Sequence, residues 1–208
     1  MHDYSIDRHP KEKIIFFMSY LVIILAPQIN NLFNWLHTSF KFKIDSAFTI
    51  PLISIPIFSL FFGIYWLFDN VLWKFSILRK FLLVPDLNGE WEITGKTIYN
   101  EGKESQIDWN ASLIITQSWS KISIILAAKA SISESFSASM IKKEGVGYLL
   151  NYAYKNTPSI ESIGLQSHQG IAFITFEPEC VSGNGEYFTD HNRQTSGKMT
   201  WRKKIGSK

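Results

Sequence analysis

The chain has one cysteine, Cys180, among its 208 residues. No intrachain disulfide is possible, so a disulfide-stapled secreted module is excluded and a reducing compartment is the simplest setting. No histidine stands close by in sequence to activate the thiol, and Cys180 reads as a small strand or turn residue. Charge is missing from a long stretch: between Ile14 and Phe68 the only charged residues are Lys41, Lys43 and Asp45. Net charge is missing from the second half, where residues 85–208 carry 13 basic and 13 acidic side chains. A duplex DNA or RNA partner needs a basic face, so neither is expected. Catalytic signatures are also missing. No glycine-rich phosphate loop precedes a helix, no Gly-x-Ser-x-Gly elbow occurs, and the five histidines show no metal-ligand spacing. These absences predict a protein that is not an enzyme and has no metal or cofactor.

What is present divides the chain at Pro85. Residues 1–13 are polar and read as a cytoplasmic segment. Two apolar runs follow, at 14–36 and 47–69, the second uncharged as far as Phe68, and each is long enough to span a bilayer core. A cleaved signal peptide fits poorly, because the first run is long, no small-x-small site follows it, and a second run comes soon after. About ten residues join the runs, so residues 14–69 should form a transmembrane hairpin. Arg8, Lys11 and Lys13 before it and Lys74, Arg79 and Lys80 after it outweigh Lys41 and Lys43 in its loop. The positive-inside rule then puts both chain ends in the cytoplasm. Trp35 and Trp66 sit where interfacial anchors belong, and Pro56 should kink the second helix. Gln28, Asn30 and Asn31 mark either the headgroup end of the first helix or interhelical hydrogen bonds. Residues 70–84 mix apolar and basic positions, as a juxtamembrane connector would. Pro85 disfavours helix at Val84, and Trp91 is fixed in a strand soon after, so Asp86–Asn88 reads as a short, stiff tether.

Beyond Asn88 the period changes to two. Eight strand-like segments cover 89–98, 106–116, 119–129, 131–142, 146–155, 168–177, 181–190 and 196–204. The turn signals between them include Gly145, Asn156-Thr157-Pro158, Gly183-Asn184-Gly185 and Asp190-His191-Asn192. No connection is long enough for a crossover helix. The expected fold of residues 85–208 is therefore all-β: an eight-stranded antiparallel up-and-down barrel whose interior holds one small ligand. Gly89-x-Trp91 is similar to the opening of streptavidin-like and lipocalin-like barrels, with Trp91 plugging one end.

Several residues are suited to binding. Ser131, Ser133, Ser135, Ser137 and Ser139 alternate along one strand. Their hydroxyls either line the barrel mouth or form a polar outer face, with Ile132, Phe136, Ala138 and Met140 inward. Tyr152 and Tyr154 lie on the next strand, where rings beside hydroxyls suit a nucleobase and also suit plain packing. Trp119 could cap a pocket or close the barrel. Arg193, in the turn after Asp190, is either solvated or a phosphate contact.

The order and spacing of these features resemble a known family. Two apolar spans precede Pro85-x-Leu87-x-Gly89-x-Trp91, then Gln117-Ser118-Trp119-Ser120-Lys121-Ile122-Ser123-Ile124. The Ser131–Ser137 row, Asn151-Tyr152-x-Tyr154-x-Asn156-x-Pro158, His168-x-Gly170 and Gly185-Glu186-Tyr187-Phe188-Thr189-Asp190 with Gly197 complete the pattern. It resembles the bacterial CBASS membrane effectors with two transmembrane helices and a β-rich domain, which act in anti-phage defence. The resemblance implies a cyclic dinucleotide ligand made by a partner nucleotidyltransferase. It implies an effector of the bacterial inner membrane, with its barrel in the cytoplasm. On ligand binding it would form homo-oligomers, disrupt the lipid bilayer and arrest or kill the cell. Strand faces and motif positions together nominate Trp119, Ser133, Ser135, Tyr152, Tyr154, His168, Tyr187, Thr189 and Arg193 as ligand contacts. The competing readings are a membrane-anchored lipocalin-like barrel for an apolar ligand and a membrane scaffold without a ligand.

Overall fold

The computed structural model describes residues 1–7, 9–40, 46–100, 103–161 and 166–204. It divides into two compact units, one of His9–Leu78 and one that joins Met1–Arg8 to Arg79–Lys208. The β-rich unit therefore starts before residue 85 and takes in the extreme N-terminus.

In the helical unit, α1 (Lys11–Phe40) and α2 (Ser46–Asn70) pack against each other. The expected ten-residue connection from His37 is helical as far as Phe40, and residues 41–45 lie outside the described residues. Among the described residues one helix, over Lys11–Leu36, is long and apolar enough to cross a membrane. Its apolar side chains surround it. Ile14, Met18 and Val22 form a buried stripe at four-residue spacing, while Phe16, Phe17, Ile23 and Trp35 are exposed. A helix apolar on all sides is not stable against water on its outer face and needs burial or lipid. On α2, Phe58, Phe62 and Trp66 are likewise exposed. The connector is two short pieces, a 3-10 turn at Leu72–Lys74 and α3 (Ser76–Leu82). It ends at Leu83, whose left-handed backbone (φ 58) lets Val84 N donate back to Arg79 O at 3.4 Å.

The β-rich unit begins with β1 (His2–Ile6) and continues after α3 with β2 (Gly89–Asn100), β3 (Lys103–Gln117), β4 (Lys121–Ala128), β5 (Ser131–Lys143), β6 (Gly147–Pro158), β7 (His168–Phe176), β8 (Ser182–Thr189) and β9 (Ser196–Lys203). From β2 onward each strand pairs antiparallel with the next, and β2 pairs with β9, so the meander closes into a barrel. Two expected turns lie inside strands. Asn156-Thr157-Pro158 ends β6, and Gly183-Asn184-Gly185 belongs to β8. Gly185 provides clearance rather than a bend: a Cβ there would collide with the Phe173 carbonyl and the Ile174 side chain of β7. The β7–β8 turn is residues 177–181, where Cys180 is buried with φ 54 and burial pushes its thiol pKa up to about 12. A thiol held protonated in this way is inert.

Among the described residues the barrel has nine strands, where eight are expected. β4 and β5 pair with each other only beside their turn, from Ile125↔Glu134 to Ala127↔Ile132. A bulge between Ser135 and Ser137 then bends β5 away. There Ser135 Oγ accepts from Ile124 N at 2.9 Å and bonds His2 Nε2 at 2.8 Å. β1 fills the gap beyond, antiparallel to β4 (His2↔Ile122) and parallel to β5 (Tyr4↔Ala138 to Ile6↔Met140). Five residues of mixed polarity carry too little alternation to read as a strand on their own.

The end where the chain enters the barrel is filled. Trp91, Phe176 and Trp201 are fully buried and meet edge to face, with centroids 5.3, 5.7 and 6.1 Å apart. Trp91 Nε1 donates to Leu87 O at 3.0 Å. The short segment Asp86–Asn88 is held within the barrel unit, with Leu87 fully buried in the core. Buried Gln117 binds both chain entries. Its Oε1 accepts from Leu87 N at 2.9 Å, and its Nε2 donates to Pro85 O at 3.1 Å and to Tyr4 Oη at 3.0 Å. Asn88 closes the same corner from its side chain, accepting from Gln117 N at 2.7 Å and donating to Gln117 O at 3.0 Å. Gln117→Leu leaves the Leu87 amide and the Pro85 carbonyl buried without these partners. It should cost about 2–4 kcal/mol, a fall of roughly 10 °C in the melting temperature of the full-length protein. An unchanged melting temperature would show that water replaces the glutamine.

Candidate ligand-binding site

The opposite end of the barrel is hollow. A cavity of about 290 Å³ lies there, at the low end of the roughly 300–1,000 Å³ usual for small-molecule sites. It is walled by the last residues of β2, β4, β6 and β8, the first of β3, β5 and β7, and the 190–195 loop. Close approach of rings to backbone keeps it open. Trp109 lies across from Gly95, and Tyr154 across from Gly170. A Cβ on either glycine would collide with the facing ring, so these rings lie against the wall instead of filling the lumen.

Seven of the nine nominated residues line this cavity: Ser133, Tyr152, Tyr154, His168, Tyr187, Thr189 and Arg193. Two do not. Trp119 is fully buried in the β3–β4 turn at the filled end, and Ser135 is committed to Ile124 and His2 where β4 and β5 part. The bulge in β5 also divides the serine row. Ser131 and Ser133 line the cavity, whereas beyond the bulge Ala138 and Met140 take the buried face and Ser137 is exposed. Each alternative read from the alternation thus holds for one part of the strand.

Thr97, Trp109, Asn156 and Thr195 also line the cavity and were not nominated. Two of them had a signal in the sequence. Trp109 begins the alternation Trp109, Ala111, Leu113, Ile115, and Asn156 continues Tyr152 and Tyr154 by one step of two. Thr97 and Thr195 had none, because their place depends on pairing. Thr97 Oγ1 bonds Tyr187 Oη at 2.7 Å, and Thr195 Oγ1 bonds Thr189 Oγ1 at 3.0 Å.

The lining mixes polar and aromatic side chains with aliphatic Ile107, Leu126 and Met199, and among the described residues it has no carboxylate. Tyr152 and Tyr154 are buried side by side with centroids 5.9 Å apart. Burial raises both phenol pKa values well above the ordinary tyrosine range; Tyr154 adds to the shift of Tyr152, and Tyr187 and Asp190 add to that of Tyr154. Both phenols thus stay neutral and able to donate at physiological pH. The 190–195 loop that carries Arg193 is tightly held. Asp190 accepts from Gln169 N at 3.0 Å and Asn192 N at 3.2 Å, and these backbone bonds, the Gln169 one foremost, lower its carboxyl pKa. Arg193 N donates to Asp190 O at 3.2 Å, and Gln194 closes the turn with φ 48. The guanidinium of Arg193 stands in a described lining that otherwise offers an imidazole, hydroxyls, amides, rings and aliphatic side chains. Such a set can stack flat heterocycles and neutralise phosphate. Among the described residues no cluster of His, Cys, Asp and Glu could hold a metal ion.

A family model described as "Cap15, cyclic dinucleotide receptor domain" matches residues 82–203, which include the whole cavity wall. Over 185 residues the chain is 38% identical to CD-NTase-associated protein 15 of Yersinia aleksiciae, a match covering 88% of this chain and 84% of that protein.

Raised tyrosine pKa values make stability depend on pH at the alkaline side. The neutral phenols contribute fully below the unfolded value near 10, and the contribution is lost as pH rises toward the folded values. Above about pH 10, Tyr152→Phe should flatten the fall in stability by about 1.4 kcal/mol per pH unit, read by denaturant titration. Native-state ionisation of both tyrosines near pH 10, seen by ultraviolet titration, would contradict this burial.

Proposed function

This chain belongs to the Cap15 family of cyclic dinucleotide receptors, and from that premise we propose that it binds a cyclic dinucleotide in the hollow end of its barrel. The observation that carries the assignment is the lining: neutral phenols and hydroxyls, no carboxylate among the described residues, and Arg193 on a braced loop at one side. Two negative phosphates suit that chemistry, with Arg193 taking a phosphate oxygen and Tyr152, Tyr154 or Tyr187 taking the bases. A fatty acyl chain suits it less well, because it offers no hydrogen-bond partner to the Tyr152 and Tyr154 phenols or to Arg193.

The rest of the reading is that of a CBASS effector, acting as a receptor and not as a catalyst. α1 and α2 would form the two-span anchor in the bacterial inner membrane, with the barrel in the cytoplasm and a nucleotidyltransferase supplying the ligand. The exposed apolar surfaces of both helices support the anchor. Ligand binding would favour a homo-oligomer that breaches the bilayer, which requires the ligand to bind the assembled form more tightly than the resting one.

Calorimetric titration of the full-length protein in detergent tests the first step, using a panel of cyclic dinucleotides with linear dinucleotides and a fatty acid as controls. One cyclic dinucleotide should bind tightly, and Arg193→Ala should weaken it about ten- to hundredfold. Heat from the fatty acid and from no cyclic dinucleotide would overturn the assignment. For the second step, cells making the full chain and its ligand should depolarise. Cells making a chain without residues 11–70 should not, and depolarisation by that shortened chain would contradict a role for the helices.

A further inference from the structure

We propose that Trp109 is the platform on which one purine base of the ligand stacks. This rests on the cyclic dinucleotide reading above and deepens it. Apart from the smaller imidazole of His168, four rings line the cavity, those of Trp109, Tyr152, Tyr154 and Tyr187. Stacking with a base needs an open ring face. Tyr152, Tyr154 and Tyr187 are only 4%, 8% and 7% exposed, so little of any tyrosine face is left open. Trp109 is half-buried, and it is the one tryptophan in the described cavity wall.

The orientation of the indole follows from its neighbour. Trp109 of β3 lies opposite Gly95 of β2. A Cβ on Gly95 would stand 2.1 Å from both Cε2 and Cζ2 of the ring and 2.6 Å from Cη2. A point beyond the ring's rim cannot be nearly as close to Cη2 as to the other two, whereas a point over its face can. Gly95 alternates with the buried side chains of Trp91, Ile93 and Thr97, so the side chain it lacks would point into the barrel. The indole therefore lies flat on the inner wall at Gly95, and its opposite face looks into the cavity. Tyr187 stands steeply beside it, with centroids 5.8 Å apart and planes at 72°, and Thr97 holds the Tyr187 hydroxyl at 2.7 Å. The exposure of Trp109 remains with Tyr187 in place, so Tyr187 bounds the platform without covering it. Indole and purine are both flat pairs of fused rings, alike in size. A base laid on Trp109 keeps its edges free for the hydroxyls of the wall, and the phosphates are left to Arg193.

The test uses the full-length protein in detergent with cyclic di-AMP, cyclic di-GMP and the mixed cyclic AMP–GMP. Trp109→Leu should weaken the tightest of the three about ten- to hundredfold, while Trp109→Phe, which keeps an aromatic face, should stay within about fivefold of the unmodified protein. Leucine and phenylalanine both fill apolar space, so a role in packing alone would make the two variants bind alike, and that outcome would overturn the proposal. A second readout needs no variant to fold. A stacked purine quenches indole emission, and Trp73, Trp91, Trp119 and Trp201 are at most 1% exposed and do not line the cavity. Saturating the unmodified protein with its tightest ligand, excited where purines do not absorb, should therefore lower its tryptophan emission, and Trp109→Phe should bind without that fall. Tight binding with no change in emission would refute stacking on Trp109. Failure of the unmodified protein to bind any of the three would instead remove the underlying ligand assignment, and this inference with it.

Discussion

Three rings at one end of the barrel make the other end usable. Trp91, Phe176 and Trp201 fill the lumen where the chain enters, and their mutual edge-to-face contacts concentrate the apolar burial there. With stability supplied at that end, the far end can remain open. Gly95 and Gly170 let Trp109 and Tyr154 lie back against the wall, and the cavity is what remains. Polar groups that would be costly in a packed core become cavity-facing surface.

The same filled end gathers the chain's two approaches. Residues before α1 enter as β1, and residues after α3 enter as Pro85–Asn88, and Gln117 is hydrogen-bonded to both. Ring contacts continue from Trp91 through Trp201 to Tyr152, 6.0 Å from Trp201 and on the cavity wall. One contiguous set of rings and hydrogen bonds thus runs from the cavity to the points where the helical segments join the barrel. A clean separation into helices, connector and barrel is replaced by a barrel whose first strand precedes α1 in sequence.

Strand positions were legible because a half-buried strand alternates strictly, and so were seven cavity residues: Ser133 in the serine row, Tyr152 and Tyr154 on their strand, Arg193 in its turn, and His168, Tyr187 and Thr189 at motif positions. The rest depended on pairing. β1 is five residues long and is specified by the gap between β4 and β5, which is itself created by a bulge that no residue type announces. Ser135 reads as one member of a row until the bulge assigns it to Ile124 and His2. Gly183 and Gly185 read as a turn because glycine permits turns, whereas here it permits the close approach of β7. Trp119 could cap a pocket or close the barrel, and its burial between β3 and β4 at the filled end fits the second role.

The central claim is that the hollow end of the barrel is the receptor site. A structure of the full-length protein bound to its tightest cyclic dinucleotide tests it most directly. Ligand density should lie between Tyr152, Tyr154 and Tyr187, with a phosphate against Arg193. Density on the outer wall, in the groove over Phe173, Glu186 and Lys198, would contradict the account.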